Sequence, residues 1–250
     1  MRSRGIVAFC FFVNICTITL AGCQDRSTNA QAIFSDPKVA HLAKAAETGD
    51  VDSIEKLVMS GVEVNSLGRG RITPLYYAFI KKNESGFQSL LKNGANPNIL
   101  TSNGICVMHE AASDANSFWL EESLKHTGDS NVLANGNNTK KWTPIFFAIN
   151  NRRPENARLL IKNGADINHK NDRKTFPLLF SAQCPCFEIV YLLVESGADV
   201  RQKNSANDDL ITWIQKRNEN DVVEDDERKW FKKTAEQIRS KGIELKFLEY

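Results

Sequence analysis

The sequence predicts an all-α solenoid of about five helix–turn–helix units with short hairpin loops, closed by C-terminal capping helices. Two signals in fixed phase predict it. The stretch NGADIN at 163–168 recurs as SGVEVN at 60–65, NGANPN at 93–98 and SGADVR at 196–201, with a degraded copy, TGDSNV, at 127–132. Its glycines, Gly61, Gly94, Gly128, Gly164 and Gly197, are spaced by 33, 34, 36 and 33 residues. Ahead of them, Thr73-Pro74-Leu75, Thr143-Pro144-Ile145 and Phe176-Pro177-Leu178 each place a proline 20 residues before a glycine. Cys106 to Ala112 is the same segment with one residue more before its glycine. A period in this range marks stacked supersecondary units, none of which buries its apolar face alone.

Each part of the repeat has a physical reason. Thr-Pro opens a helix, because the hydroxyl can cap and proline at the first helical position gives up no needed N–H. Ala111, Ala112 and Ala148 are small enough for close helix approach. Leu159-Leu160 and Leu192-Leu193 put paired leucines on the core side of the second helix. Glycine then ends that helix, where positive φ is required. The Asp and Asn residues that follow suit a tight hairpin. T-P-L-H-x-A-A with G-A-D-x-N at this period resembles the ankyrin repeat, over roughly residues 37–204.

The units run in order. Residues 37–65 form the first, with Gly49-Asp50 as its inter-helix turn, and residues 71–98 the second. The third, near 104–132, has lost its G-A-D. The loop Leu133 to Lys141 then carries three extra residues before Thr143. The fourth and fifth units lie near 141–168 and 174–201. Residues 205–250 read as capping helices. The first has Ser205 or Asn207 as cap and Leu210, Ile211, Trp213 and Ile214 as its apolar positions. An acidic linker from Glu219 to Glu227 leads into a last helix carrying Trp230, Phe231, Ala235 and Ile238 and ending at Gly242.

Residues 1–22 read as a signal peptide: Arg2 and Arg4 precede a short apolar run from Ile6 to Leu20. Leu20-Ala21-Gly22-Cys23 looks like the lipobox of bacterial lipoproteins, which implies cleavage before Cys23 and acylation of that residue. Gln24 at the next position implies the inner leaflet of the outer membrane, facing the periplasm. Residues 23–36 are expected to be a lipidated tether, reaching at most about 45 Å. Removing Arg2 and Arg4 from 32 bases leaves 30 against 30 acids, so bulk charge does not point to nucleic acid.

Little in the chain points to catalysis. It has no Gly-rich phosphate loop, no G-x-S-x-G and no H-E-x-x-H. His109 occupies the histidine of T-P-L-H, a structural hydrogen-bonding position in the resembled family. Of the cysteines beyond Cys23, Cys106 is two repeats away from Cys184 and Cys186. Cys184-Pro185-Cys186 is compatible with a local disulfide, a metal half-site or two thiols in a helix–helix turn. Free thiols are the favoured reading, since no second pair or nearby histidine completes a metal set. No catalytic residue, cofactor or metal is expected.

Recognition is the expected activity, by a monomer when free. The resemblance implies a concave binding face made of hairpin tips and first-helix ends. Mapped onto this chain, it selects Arg69, Ile72, Ile80, Lys81, Asn103, Ile105, Asp114, Lys140, Trp142, Asn150, Asn151, Arg173 and Thr175. Trp142 is the expected anchor, since interfaces favour tryptophan; the alternative reading is that it packs over the three-residue insertion. Tyr77, Phe147 and Phe180 are expected in the core. Residues 137–176 hold nine bases against three acids, a local +6 suited to steering an acidic partner. Ankyrin lipoproteins of this size resemble the immunity proteins paired with type VI secretion effectors, notably phospholipases. The implied function is to bind and neutralise such a toxin. An envelope interaction scaffold is the alternative, and a cryptic enzyme near Cys184 and Cys186 a third reading.

Overall fold

A computed structural model describes residues 29–184, 186–215 and 225–245. The signal peptide, Cys23 and most of the acidic linker lie outside the described residues. Among the described residues there are thirteen α-helices and no strand: α1 (Ala30–Ile33), α2 (Pro37–Thr48), α3 (Val51–Met59), α4 (Pro74–Lys81), α5 (Glu84–Lys92), α6 (Val107–Ser113), α7 (Phe118–Lys125), α8 (Pro144–Asn150), α9 (Pro154–Lys162), α10 (Pro177–Gln183), α11 (Phe187–Glu195), α12 (Leu210–Gln215) and α13 (Asp225–Ser240). The even-numbered helices from α2 to α12 pack in sequence as one layer, and the odd-numbered ones from α3 to α13 form the second. Hairpin loops precede α4, α6, α8, α10 and α12. The predicted all-α solenoid is therefore the observed fold.

Local signals act as expected. Prolines open α2, α4, α8, α9 and α10. The Thr73 hydroxyl accepts the Tyr76 N–H at 3.1 Å, whereas Thr143 makes no side-chain capping bond. Gly61, Gly94, Gly164 and Gly197 follow their helices at φ 90°, 86°, 80° and 90°, left-handed values that favour glycine. Leu160 and Leu193 are buried in the core between the layers.

The loop motif has a second function that links the units. The Asn65 amide donates to the Gly94 carbonyl and accepts the Asn96 N–H. Asn98 does the same with Thr127 and Asp129, and Asn131 with Gly164 and Asp166. Asn168 accepts from Asp199. The ladder also corrects the register of the third unit. Asn98 grips Thr127 as Asn131 grips Gly164, so Thr127, not Gly128, holds the glycine position. Gly128 is not among the positive-φ glycines. A Cβ there would lie 2.6 Å from Ser123 O and 2.7 Å from Met108 Sδ, so the residue is small for close approach. With this register Pro144 lies 13 residues after Asn131 while Pro177 lies 9 after Asn168, and the loop insertion is four residues rather than three.

Both ends of the stack depart from expectation. The expected tether is partly docked: Ala30, Ile33 and Phe34 are buried, and Phe34 meets the Tyr77 ring edge-on at 6.1 Å. Their apolar surface covers the open side of the first repeat. At the other end Asp209, not Ser205 or Asn207, caps α12 by accepting the Thr212 N–H at 2.7 Å. Helix α13 lies along α11 as a long second helix of a sixth unit. Glu227 accepts from Phe187 N–H at the start of α11, Lys241 donates to Val194 O near its end, and Phe231 meets Phe187 edge-on.

Gly86 offers a test of this packing, because α5 crosses α2 so closely that a Cβ would lie 2.0 Å from Ala46 O. Helix propensity alone would make Gly86→Ala stabilising by up to about 1 kcal/mol. Overpacking opposes it, and a net loss of about 1–3 kcal/mol is expected in denaturant titration. A gain in stability would contradict the α2–α5 contact.

Candidate partner-binding face

The hairpins form a continuous row. Ser102 N–H donates to Gly70 O, Asn135 N–H to Gly104 O and Asp172 N–H to Lys140 O, each bond joining one hairpin to its neighbour. One position in each loop, three residues ahead of the first helical residue, is left-handed. It is filled by Arg71, Gly104, Lys141, Lys174 and Asn207, at φ 58°, 74°, 59°, 56° and 64°. Glycine is the residue that takes this conformation without cost. At Gly104 it is also required by space, since a Cβ would lie 2.4 Å from the Asn135 carbonyl carbon. Arg71, Lys141 and Lys174 hold the same geometry with long, exposed cations.

The four-residue insertion reshapes this row. Ala134 and Trp142 pair across its base, with Ala134 N–H donating to Trp142 O and Lys141 N–H to Ala134 O. The widened loop leaves a cleft of about 300 Å³ against the third hairpin. Ser102 and Asn103 line one wall and Asn135 to Thr139 the other, with Ile105 and Phe147 also lining it.

Arg69, Asn103, Lys140 and Arg173 are exposed on hairpins, as expected of binding residues. Ile80, Lys81, Asp114, Asn150, Asn151 and Thr175 are half-buried. Two of these join repeats together: Lys81 pairs with Glu47 at 3.4 Å, and Asp114 with Lys82 at 2.6 Å. The Asn151 amide donates to Phe147 O at the end of α8. Three residues are corrected outright. Ile72, Ile105 and Trp142 retain 1%, 6% and 4% of their exposure and belong to the core. Trp142 lies within 5.6 Å, between ring centroids, of Phe146, Phe147 and Phe180. Trp142 stands two residues ahead of its first helical residue, as Ile72 and Ile105 do, and that place turns inward with or without the insertion, so the tryptophan packs in the core instead of anchoring an interface. Tyr77 and Phe147 are core as expected, and Phe180 is half-buried against Trp142. The left-handed cations and the amide wall of Asn135, Asn137 and Asn138 escaped the sequence reading. The signal was present in Lys-x-Thr-Pro and Lys-x-Phe-Pro, which put lysine where Gly104 stands in the third unit.

Buried polar chemistry is structural. His109 Nδ1 accepts the Cys106 N–H at 3.1 Å, which leaves the proton on Nε2 for the Val132 carbonyl at 3.1 Å. Burial pulls this histidine down to about 4 and pushes the Cys106 thiol up to about 12. A thiol so held is a poor nucleophile at neutral pH. Cys184 and Cys186 are not joined in a disulfide, and burial pushes Cys186 up to about 12. Among the described residues no group of three or more His, Cys, Asp or Glu is placed to hold a metal.

Stacked helix pairs with a joined hairpin row define a repeat protein with an extended recognition surface. A family model for ankyrin repeats, in three copies, matches residues 108–204. Residues 108–204 thus match ankyrin repeats, and the described residues have the ankyrin-repeat fold. A putative ankyrin repeat protein of Fowlpox virus (strain NVSL) is 32% identical over 48% of this chain and 15% of its own length. The nuclear factor NF-kappa-B p105 subunit of Gallus gallus is 35% identical over 38% of this chain and 10% of its own. The chain thus spans a small part of these curated relatives. Among solved structures, the ankyrin repeat protein EF0377 superposes with a TM-score of 0.62 at 21% identity, covering 80% of this chain and 98% of that one. An ankyrin repeat domain from Acinetobacter baumannii AYE gives 0.63 at 20% identity, covering 78% and 96%. Ankyrin repeats mediate protein–protein interaction, and the fold is typically a non-enzymatic scaffold.

Two outcomes follow from the buried cluster. Trp142→Ala is expected to destabilise the protein by about 3–5 kcal/mol, the range for an emptied aromatic site, read by denaturant titration. His109 is the second test. Its folded value lies below the unfolded 6.5, so the unfolded chain binds more protons between pH 6.5 and about 4. Its contribution is present above pH 6.5 and lost as pH falls through this window, about 3 kcal/mol in all. The stability gap between wild type and His109→Gln should narrow by that amount from pH 7 to pH 4.

Proposed function

We propose that this protein is an envelope lipoprotein, anchored through Cys23 in the inner leaflet of the outer membrane. There it binds and neutralises a secreted toxic enzyme, a phospholipase of the kind delivered by type VI secretion. The observation that carries the binding half is the hairpin row. Lys140, Lys141, Arg173 and Lys174 are exposed on it, and the insertion adds a cleft that a regular repeat does not have. The lipobox sequence and the resemblance to ankyrin immunity lipoproteins support the location and the target. An acyl anchor would hold the inhibitor at the surface such an enzyme attacks, each buried CH₂ adding about 0.8 kcal/mol to anchoring. Because Ala30, Ile33 and Phe34 pack on the first repeat, only a few residues separate that contact from Cys23, and the stack would stand near the bilayer.

The test is protection. Cells lacking the chain are challenged with a toxin-delivering sister strain and complemented with wild type or Cys23→Ala. Wild type should restore survival, and Cys23→Ala should leave an unprocessed, mislocalised protein with reduced protection. Equal survival with and without the chain would rule out neutralisation. Normal processing and fractionation of Cys23→Ala would rule out the lipid anchor.

A further inference from the structure

We propose that the partner is recognised through an acidic loop. The loop runs along the third to fifth hairpins, inserts into the cleft between the third and fourth, and presents carboxylates to Lys140, Lys141, Arg173 and Lys174. This rests on the reading of the hairpin row as the binding face. Three independent observations point to an acidic protein segment.

The first is charge. Lys140, Lys141, Arg173 and Lys174 are all exposed at the loop tips, with Asp172 the acid in their midst. Among the described residues no carboxylate pairs with any of the four, whereas the lysines nearer the helix ends, Lys81 and Lys82, are engaged with Glu47 and Asp114. The second is backbone conformation. Lys141 and Lys174 occupy left-handed positions, and glycine stands at the equivalent place in the third hairpin. Lysine there gives up stability that glycine would recover, and such strain in a surface loop marks a position retained for its side chain. The third is the cleft itself. A regular repeat has no four-residue insertion, and here the insertion sets the amides of Asn135, Asn137 and Asn138 opposite Asn103, with Phe147 among the lining residues. Side-chain amides can donate to carboxylates and to peptide carbonyls and can accept from peptide N–H groups. A volume of about 300 Å³ admits one or two side chains of an extended segment. Amides opposite one another with cations beside them suit a peptide with acidic side chains better than a phosphodiester strand, which would seek stacked exposed aromatics.

The probe is a displayed library of random dodecapeptides, panned over the full chain. Enriched peptides should be rich in Asp and Glu. A synthetic representative should bind at least tenfold more weakly to Lys140→Glu with Lys141→Glu and to Asn138→Trp, which fills the cleft. Raised salt should weaken the wild-type complex and have little effect on what remains in the charge-reversed variant. Lys141→Gly gives the sharper reading: its melting temperature should rise by about 2–4 °C while its affinity for the peptide falls at least threefold. These positions are exposed, so melting curves separate lost binding from lost folding. Enrichment of neutral or basic peptides, unchanged binding by the variants, or tighter binding of an oligothymidylate than of any peptide would overturn the proposal. So would Lys141→Gly gaining stability with affinity unchanged. The outcome is separable from that of the protection assay. Acidic-peptide binding without protection would leave this recognition chemistry standing with a different partner. Protection without acidic-peptide binding would mean the toxin is held elsewhere.

Discussion

The side-chain amide of one asparagine per repeat, reaching across to the loop of the next, is the contact on which the alignment of the stack depends. Helix packing supplies most of the stabilisation, but apolar contact is non-directional and does not by itself set the phase between units. The amide does: it donates to one backbone carbonyl and accepts one backbone N–H of the neighbouring loop. Both groups lie where a helix has ended, and backbone groups without helical partners need partners of another kind. The hairpins inherit their row from this alignment, and the candidate binding face inherits its continuity from the hairpins.

The same constraint explains how the third unit survives its irregularities. It lacks the terminating glycine, lacks Thr-Pro ahead of its first helix and is followed by an insertion. It keeps Asp129, whose carboxylate accepts the Asn131 N–H, and Asn131, whose amide reaches the fourth unit. His109 adds a tie from α6 to Val132 at the start of the inserted loop. Trp142 then closes the base of that loop over Phe146, Phe147 and Phe180. An insertion that would otherwise open the stack is thus sealed by one aromatic cluster, and its polar outer part is left free to shape a cleft.

The two ends are capped by different means. At the N-terminus a short helix and Phe34 cover the first repeat with little more than one turn of chain. At the C-terminal end of the stack the 16-residue α13 covers α11 along its length, and Glu227 and Lys241 satisfy backbone groups near both ends of α11. A stack exposes a full apolar face at each end, so some cover is required, and its form is a matter of which sequence happens to lie beyond the repeat.

The repeat fold was legible in the sequence, because period, capping residues, helix-ending glycines and paired leucines are local signals that act within one unit. The register of the third unit was not, because Gly128 mimics a motif whose identity depends on which residue the preceding repeat's Asn98 grips. The site was legible in part. Arg69, Asn103, Lys140 and Arg173 are exposed hairpin residues, while Trp142, Ile72 and Ile105 turn inward. Whether a hairpin residue faces a partner or the core is decided by how the neighbouring loop folds over it. Ile72, Ile105 and Trp142 share one place, two residues ahead of the first helical residue, and all three turn inward whether or not an insertion precedes it. Loop direction, the cleft between hairpins and the docking of residues 30–34 all arise from contacts between units, and a pattern that repeats within units carries no record of them.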